Sequence, residues 1–128
     1  MNLQRVWWAV GVVLLAAAIW VCLMPVNRVV TAFEWSDKTS HLLGHGILAL
    51  YFTGIVSRGA WWKIFVGLLL MGIGIEFAQY SMHMGRDGDP RDVLANSAGA
   101  ALGLLGGWLG LARWPEFAAW LLGRRAAQ

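Results

Sequence analysis

Apolar residues in this chain fall in long unbroken runs, and the charges gather in the short stretches between them. The first run, Val6 to Met24, contains no charged residue and is long enough for about 28 Å of α-helix. A second, Leu42 to Val56, reaches spanning length only if the polar stretch Ser36–Ser40 belongs to the same helix. The third, Trp61 to Tyr80, carries a single acid, Glu76, and the fourth, Val93 to Ala112, is rich in glycine and alanine. These runs predict transmembrane helices at about residues 6–24, 40–57, 61–80 and 92–112. The fold class is therefore all-α, a polytopic membrane bundle of four helices forming a single domain over residues 1–128. Beyond Trp114 and Pro115, the residues Phe117, Trp120 and Leu121 share one helical face and Arg124 and Arg125 follow, a spacing that predicts a short C-terminal interfacial helix.

Composition supports the membrane reading. Of 128 residues, 59% are hydrophobic and 13% charged, against about 25% charged in soluble chains. A soluble domain this small could not hide so much apolar side chain. A disordered tail is excluded as well, and one cysteine, Cys22 within the first run, makes no disulfide framework. The first run reads as a retained span: it is too long for a signal-peptide core, and bulky Trp20 and Val21 follow the small residues Ala16-Ala17-Ala18. The net charge of +3 is spread along the ends of the apolar runs, which excludes a nucleic-acid face.

Lysine and arginine set the orientation. Arg5, Arg58, Lys63, Arg113, Arg124 and Arg125 fall on the side of the two termini, while Arg28, Lys38, Arg86 and Arg91 fall on the other with Glu34, Asp37, Asp87, Asp89 and Asp92. The expectation is a plasma (inner) membrane protein with cytoplasmic termini. Trp7, Trp8, Trp61, Trp62 and Trp114 sit at span ends, as an aromatic belt would.

Polar groups near a membrane interior are costly and call for a reason. Asp37, Lys38 and His41 open the second helix, Glu76, Gln79 and Tyr80 close the third, and Arg86, Asp87, Asp89, Arg91, Asp92 and Asn96 form the next loop and the start of the fourth. All are expected at the outer membrane boundary. His41 and His45 are four apart and share a helix face, as do Asp92 and Asn96, whose stripe continues through Gly99, Gly103 and Gly107 as a groove for a neighbouring helix. Plainer roles exist for several of these. Asp89-Pro90-Arg91-Asp92 has the form of a helix start, with Asp89 as N-cap and Asp92 at its third position; Lys38 and Arg91 fit interfacial anchors; His45 fits a satisfied interior histidine. Glu76 resists a plain account, because an acid one turn inside the boundary needs a partner, with Arg86, Lys38 and His41 the candidates.

Asp37-Lys38-x-x-His41, Glu76-x-x-Gln79, Arg86 and Asp92-x-x-x-Asn96-x-x-Gly99, in that order on successive helices, resemble the VanZ-like family over Asp37 to about Gly103. The resemblance implies a small integral membrane protein of the cell envelope. Through the family's founding member it implies a link to susceptibility to teicoplanin, a glycopeptide that attacks cell-wall precursors. The chain departs from the family pattern at His45, where an aromatic residue is common.

Three functions fit these residues. The first is binding of an amphiphile, a lipid-linked cell-wall precursor or a phospholipid headgroup, by Asp37, Lys38, His41, Glu76, Gln79, Arg86, Asp92 and Asn96, with membrane lipids as partners and no cofactor. The second is an intramembrane hydrolase or transferase, in which His41, His45 and Glu76 are candidate metal ligands or Glu76 a base. His-Glu-x-x-His is absent, and Asp87-Gly88-Asp89 does not continue into a calcium loop. The third is a structural subunit acting through a partner protein. Four short spans also fit a homo-oligomer, and no inverted repeat points to a transporter.

Overall fold

The computed structural model of the chain describes residues 3–24, 37–82 and 88–126. All of its regular elements are helical: α1 (Leu3–Leu23), α2 (Asp37–Thr53), α3 (Trp61–Met82), α4 (Pro90–Trp108) and α5 (Trp114–Ala126), with 3-10 turns at Arg58–Ala60 and Leu111–Arg113. The all-α membrane-type bundle stands; the count of four spans does not follow from length and composition. Leu3–Leu23 and Arg58–Met82 are long and apolar enough to cross a bilayer, and a third candidate appears only if Pro90–Trp108 and Leu111–Gly123, bent by 75°, count as one span. The 17 residues of α2 extend about 25 Å, short of a hydrocarbon core of about 30 Å.

Two helix ends differ from the sequence expectation. The polar residues from Asp37 onward do belong to α2, but the helix stops at Thr53 rather than 57. There the Gly54 and Ile55 amides turn back onto Tyr51 and Phe52, and the Thr53 hydroxyl donates to the Leu50 carbonyl at 2.6 Å. A side chain at Gly54 would collide with the Trp114 indole, so this break makes room for the chain's last segment. α4 ends at Trp108 rather than 112, because Gly110 takes a φ of +112°, a conformation that only glycine adopts at little cost. The bend at Gly110 turns α5 away from the bundle and leaves Phe117, Trp120, Leu121 and Leu122 exposed.

Contacts give the helix directions. Lys38 meets Asp92, His41 meets Asn96 and Thr53 meets Gly107, so α2 and α4 run parallel. His41 approaches Glu76 at one end while Phe52 and Ile64 share the core at the other, so α3 runs antiparallel to both. α1 starts beside Tyr51 and ends beside Gln79, antiparallel to α2. Each of α2, α3 and α4 reverses the helix before it.

The distribution of side chains is inverted relative to a soluble domain. His41, His45, Glu76, Gln79, Asp92 and Asn96 are buried, whereas Val13, Trp20, Leu70, Phe77 and Leu94 face outward. Such a surface suits contact with hydrocarbon. Leu48, Ala49, Phe52, Ile64, Leu68 and Ala100 form a small apolar core. Parallel α2 and α4 make the closest seam: Gly99 and Gly103 lie directly on the Leu42 and Gly46 carbonyls, and Gly107 on Thr53.

The bundle has two unlike ends. At one, the Tyr51 hydroxyl donates to the Trp7 carbonyl at 2.6 Å, and Trp114 donates to the Tyr51 carbonyl at 3.1 Å while stacking on its ring at 4.8 Å. This aromatic knot ties α1 to α2 and to the start of α5. The opposite end carries the polar residues.

Candidate functional site

Three helices deliver the polar groups. Asp89 caps α4: with an extended backbone it accepts from the Arg91 amide at 2.9 Å, and Pro90 occupies the first helical position. The cap leaves Asp92 free for another task. Its Oδ1 accepts from the Lys38 ammonium at 2.8 Å, and its Oδ2 lies 4.0 Å from His41 Nε2. Lys38 also donates to Asp89 Oδ2 at 2.8 Å, so one lysine of α2 clamps the start of α4 at two points.

His41, only 1% exposed, is the hub. Its Nδ1 lies 3.0 Å from Asn96 Oδ1, an acceptor, which puts the proton on Nδ1 and turns Nε2 toward the carboxylates. Glu76 Oε1 lies 3.9 Å from Nε2, and Glu76 Oε2 accepts from the Asp89 backbone amide at 3.0 Å. Asn96, fully buried, fits against α3 because Gly72 has no side chain there; a Cβ at Gly72 would lie 2.7 Å from Asn96 Nδ2. Nε2 of His41 and the Glu76 and Asp92 carboxylates thus face a common centre, with one ligand atom from each within 4.8 Å of the others.

The structure therefore brings Lys38, His41, Glu76, Asp92 and Asn96 together. Gln79 lies one turn farther along α3 and does a structural job, donating from Nε2 to the Cys22 carbonyl at 2.6 Å and fastening the end of α1. His45 does not join the centre: its Nδ1 donates to the His41 carbonyl at 3.1 Å within α2. Of the candidate metal ligands His41, His45 and Glu76, the structure brings His41 and Glu76 together, with Asp92 beside them. Asp37 starts α2. Arg86 and Asp87 lie outside the described residues, as do Arg28 and Glu34. Tyr80 points outward.

Sequence reasoning missed two contributors. Asp89 is more than a cap, since its amide holds Glu76 and its carboxylate holds Lys38. Gly72 admits Asn96, and the available signal was its position four residues before Glu76 on the stripe Leu68, Gly72, Ile75, Glu76, Gln79 that α3 turns inward.

Lys38 and Asp89 lie outside the apolar runs and titrate accordingly. The Lys38 ammonium, with the Arg91 amide, holds the Asp89 carboxyl below its usual range, and the two carboxylates raise Lys38 above its own. A depressed acid contributes stability above its unfolded pKa and loses it as pH falls through the folded one. The clamp should therefore hold at neutral pH and weaken on acidification below about pH 4. Melting curves in detergent from pH 7 to 3 check this: the wild type should lose its advantage over Asp89→Asn as the pH drops.

Two cavities lie along the bundle. The larger, about 600 Å³, lies between α1, α2 and α3 and is lined by Trp8, Phe52, Ile64 and Leu68, with Lys63 at its rim; it contains none of the clustered residues. The smaller, about 230 Å³, is an apolar groove on the α2–α4 seam, lined by Leu42, Gly46, Leu50, Gly99 and Gly103. Leu42 adjoins His41 in sequence, so this groove leads directly away from the polar end.

Fold and site together define a helical integral membrane protein with a buried ionisable centre at one end of its bundle. A family model described as VanZ/LLP1 matches residues 12–111, and the chain belongs to that family. No curated protein and no solved structure matched the chain.

Proposed function

We propose that the polar end of this VanZ-family protein binds an amphiphile with an anionic phosphate headgroup, a lipid-linked cell-wall precursor or a phospholipid, at the outer boundary of the plasma membrane. The observation that carries this reading is the junction of charge and groove. Lys38, whose side chain is 49% exposed, lies one turn of α2 before Leu42, the first residue that lines the apolar seam groove. Exposed Arg91 lies at the start of α4, whose Gly99, Leu102 and Gly103 line the groove's other side. A phosphate would be met by these cations, and an alkyl chain would follow Leu42, Gly46 and Leu50 toward the membrane interior. The buried residues are closed to a bulky headgroup and serve to fix the rim: Asp89 and Asp92 aim Lys38, and His41, Asn96 and Glu76 hold the helix ends that carry them.

The bias of arginine and lysine supports cytoplasmic termini and an outward polar end. The exposed apolar side of α5 supports an interfacial position for that helix. Binding of a lipid-linked precursor would also account for the family's connection to teicoplanin, because glycopeptides attack such precursors.

Photo-crosslinking in native membranes tests the proposal, with one photoactivatable phospholipid probe and one polyprenyl-diphosphate probe. Arg91→Glu, which leaves the Lys38 clamp in place, should reduce labelling about tenfold, the value of one charge-assisted hydrogen bond. Lys63→Glu at the other end should label like the wild type. The probe that competes better identifies the headgroup, and equal labelling of wild type and Arg91→Glu by both probes overturns the reading.

A further inference from the structure

We propose that His41 Nε2, one carboxylate oxygen of Glu76 and Asp92 Oδ2 form a binding site for one divalent transition-metal cation. The inference concerns the buried centre and holds whether or not a lipid binds at the rim. Its basis is the arrangement of atoms. His41 Nε2 lies 3.9 Å from Glu76 Oε1 and 4.0 Å from Asp92 Oδ2. These separations are too long for hydrogen bonds. With all three ligand atoms within 4.8 Å of one another, they stand wider than ligands around a shared cation with bonds of about 2.0–2.2 Å, and binding would draw the side chains inward.

A second observation is independent of the first. Each of the three side chains is held at its other polar atom by a different group: His41 Nδ1 by Asn96 Oδ1, Asp92 Oδ1 by the Lys38 ammonium, and Glu76 Oε2 by the Asp89 backbone amide. Metal sites use this pattern of support, in which the outer contact fixes the histidine tautomer and aims the ligand atom. The Asn96 contact in particular leaves the Nε2 lone pair directed at both carboxylates.

The donor set also selects the ion. One imidazole nitrogen and two carboxylate oxygens suit zinc, manganese or ferrous iron, whereas calcium and magnesium prefer all-oxygen sites. Three protein ligands leave coordination positions open for water or for an oxygen of a bound molecule, the form taken by catalytic rather than structural zinc sites.

The test uses the full chain, purified in detergent, stripped with chelator and titrated with Zn²⁺, Mn²⁺ and Mg²⁺ by calorimetry, with bound metal measured by mass spectrometry. Cobalt(II) replaces the native ion for visible spectroscopy. The wild type should bind close to one Zn²⁺ or Mn²⁺ per chain, bind Mg²⁺ far more weakly, and give a cobalt spectrum of mixed nitrogen and oxygen ligation. His41→Ala and Asp92→Asn should abolish the spectrum, Asn96→Ala should weaken binding about 10- to 100-fold, and His45→Ala should bind like the wild type. Circular dichroism establishes that each variant is folded; should His41→Ala or Asp92→Asn not fold, the wild-type spectrum and the Asn96→Ala affinity decide. Absence of stoichiometric metal and of a cobalt spectrum in the wild type, or unchanged affinity in folded His41→Ala, overturns the proposal. Lipid labelling at the rim is a separate readout, so either proposal can fail alone.

Discussion

Gly99→Ala should lower the melting temperature of the purified protein by several degrees. At Gly99 a methyl group would fall on the Leu42 backbone, its carbonyl above all. No rotamer change can relieve a clash with backbone, so α2 and α4 must part. Overpacking of this kind costs about 1–3 kcal/mol, and the gain in helix propensity from glycine to alanine returns no more than about 1 kcal/mol. Separation also widens the distance between Lys38 and Asp92 and between His41 and Asn96, which depend on the same seam. The internal control is Gly74→Ala on α3, where nothing lies within 4 Å of the added carbon; it should melt at or above the wild-type temperature. Thermal unfolding followed by circular dichroism in one detergent compares them. Equal melting of Gly99→Ala and wild type would mean that the two helices are not in contact at that position.

The second large effect is expected at Asn96. Alanine there removes the acceptor from His41 Nδ1 in a place closed to water, since both residues are nearly or fully buried. A buried donor left without its acceptor costs about 1–3 kcal/mol. The imidazole also loses the contact that fixes its tautomer, so Nε2 no longer points reliably at Glu76 and Asp92. Leucine should be worse than alanine, because it loses the same hydrogen bond and must fit against α3 where Gly72 already allows only the asparagine amide. Melting temperatures of Asn96→Ala and Asn96→Leu, in that descending order below wild type, check the account; a leucine variant as stable as wild type would contradict it.

Much of this architecture is legible in the residues themselves. Long uncharged runs require helices in hydrocarbon, and the stripe Asp92, Asn96, Gly99, Gly103, Gly107 marks the inner face of α4 through its 3.6-residue period. The same period aligns His41 with the seam on α2. The partner of the glycine stripe was not legible, because small residues announce a close approach without saying which helix makes it; the structure supplies α2, with Leu42 and Gly46 on the other side. His45 was a fair metal candidate by spacing, yet the carbonyl one turn earlier in its own helix takes its Nδ1. Asp89 as the cap of α4 was legible and the structure has it there, whereas Asp92, equally suited to serving backbone amides in the first turn, turns to Lys38 and toward His41. Spacing determines which residues share a face, whereas the choice among neighbours depends on distances of an ångström or two between helices. The end of α4 shows the same limit: residues Leu109 to Ala112 remain apolar, but one glycine with positive φ redirects the chain.

Parallel α2 and α4 close a single buried polar centre on His41. A double-mutant cycle across the His41–Asn96 contact is the decisive test, using unfolding free energies of wild type, His41→Ala, Asn96→Ala and the double variant in one detergent. A shared buried hydrogen bond predicts a coupling energy of about 1 kcal/mol or more, with the double variant little worse than the poorer single one. Additive losses, with coupling below about 0.3 kcal/mol, would show that the two side chains do not meet and would contradict the centre described here.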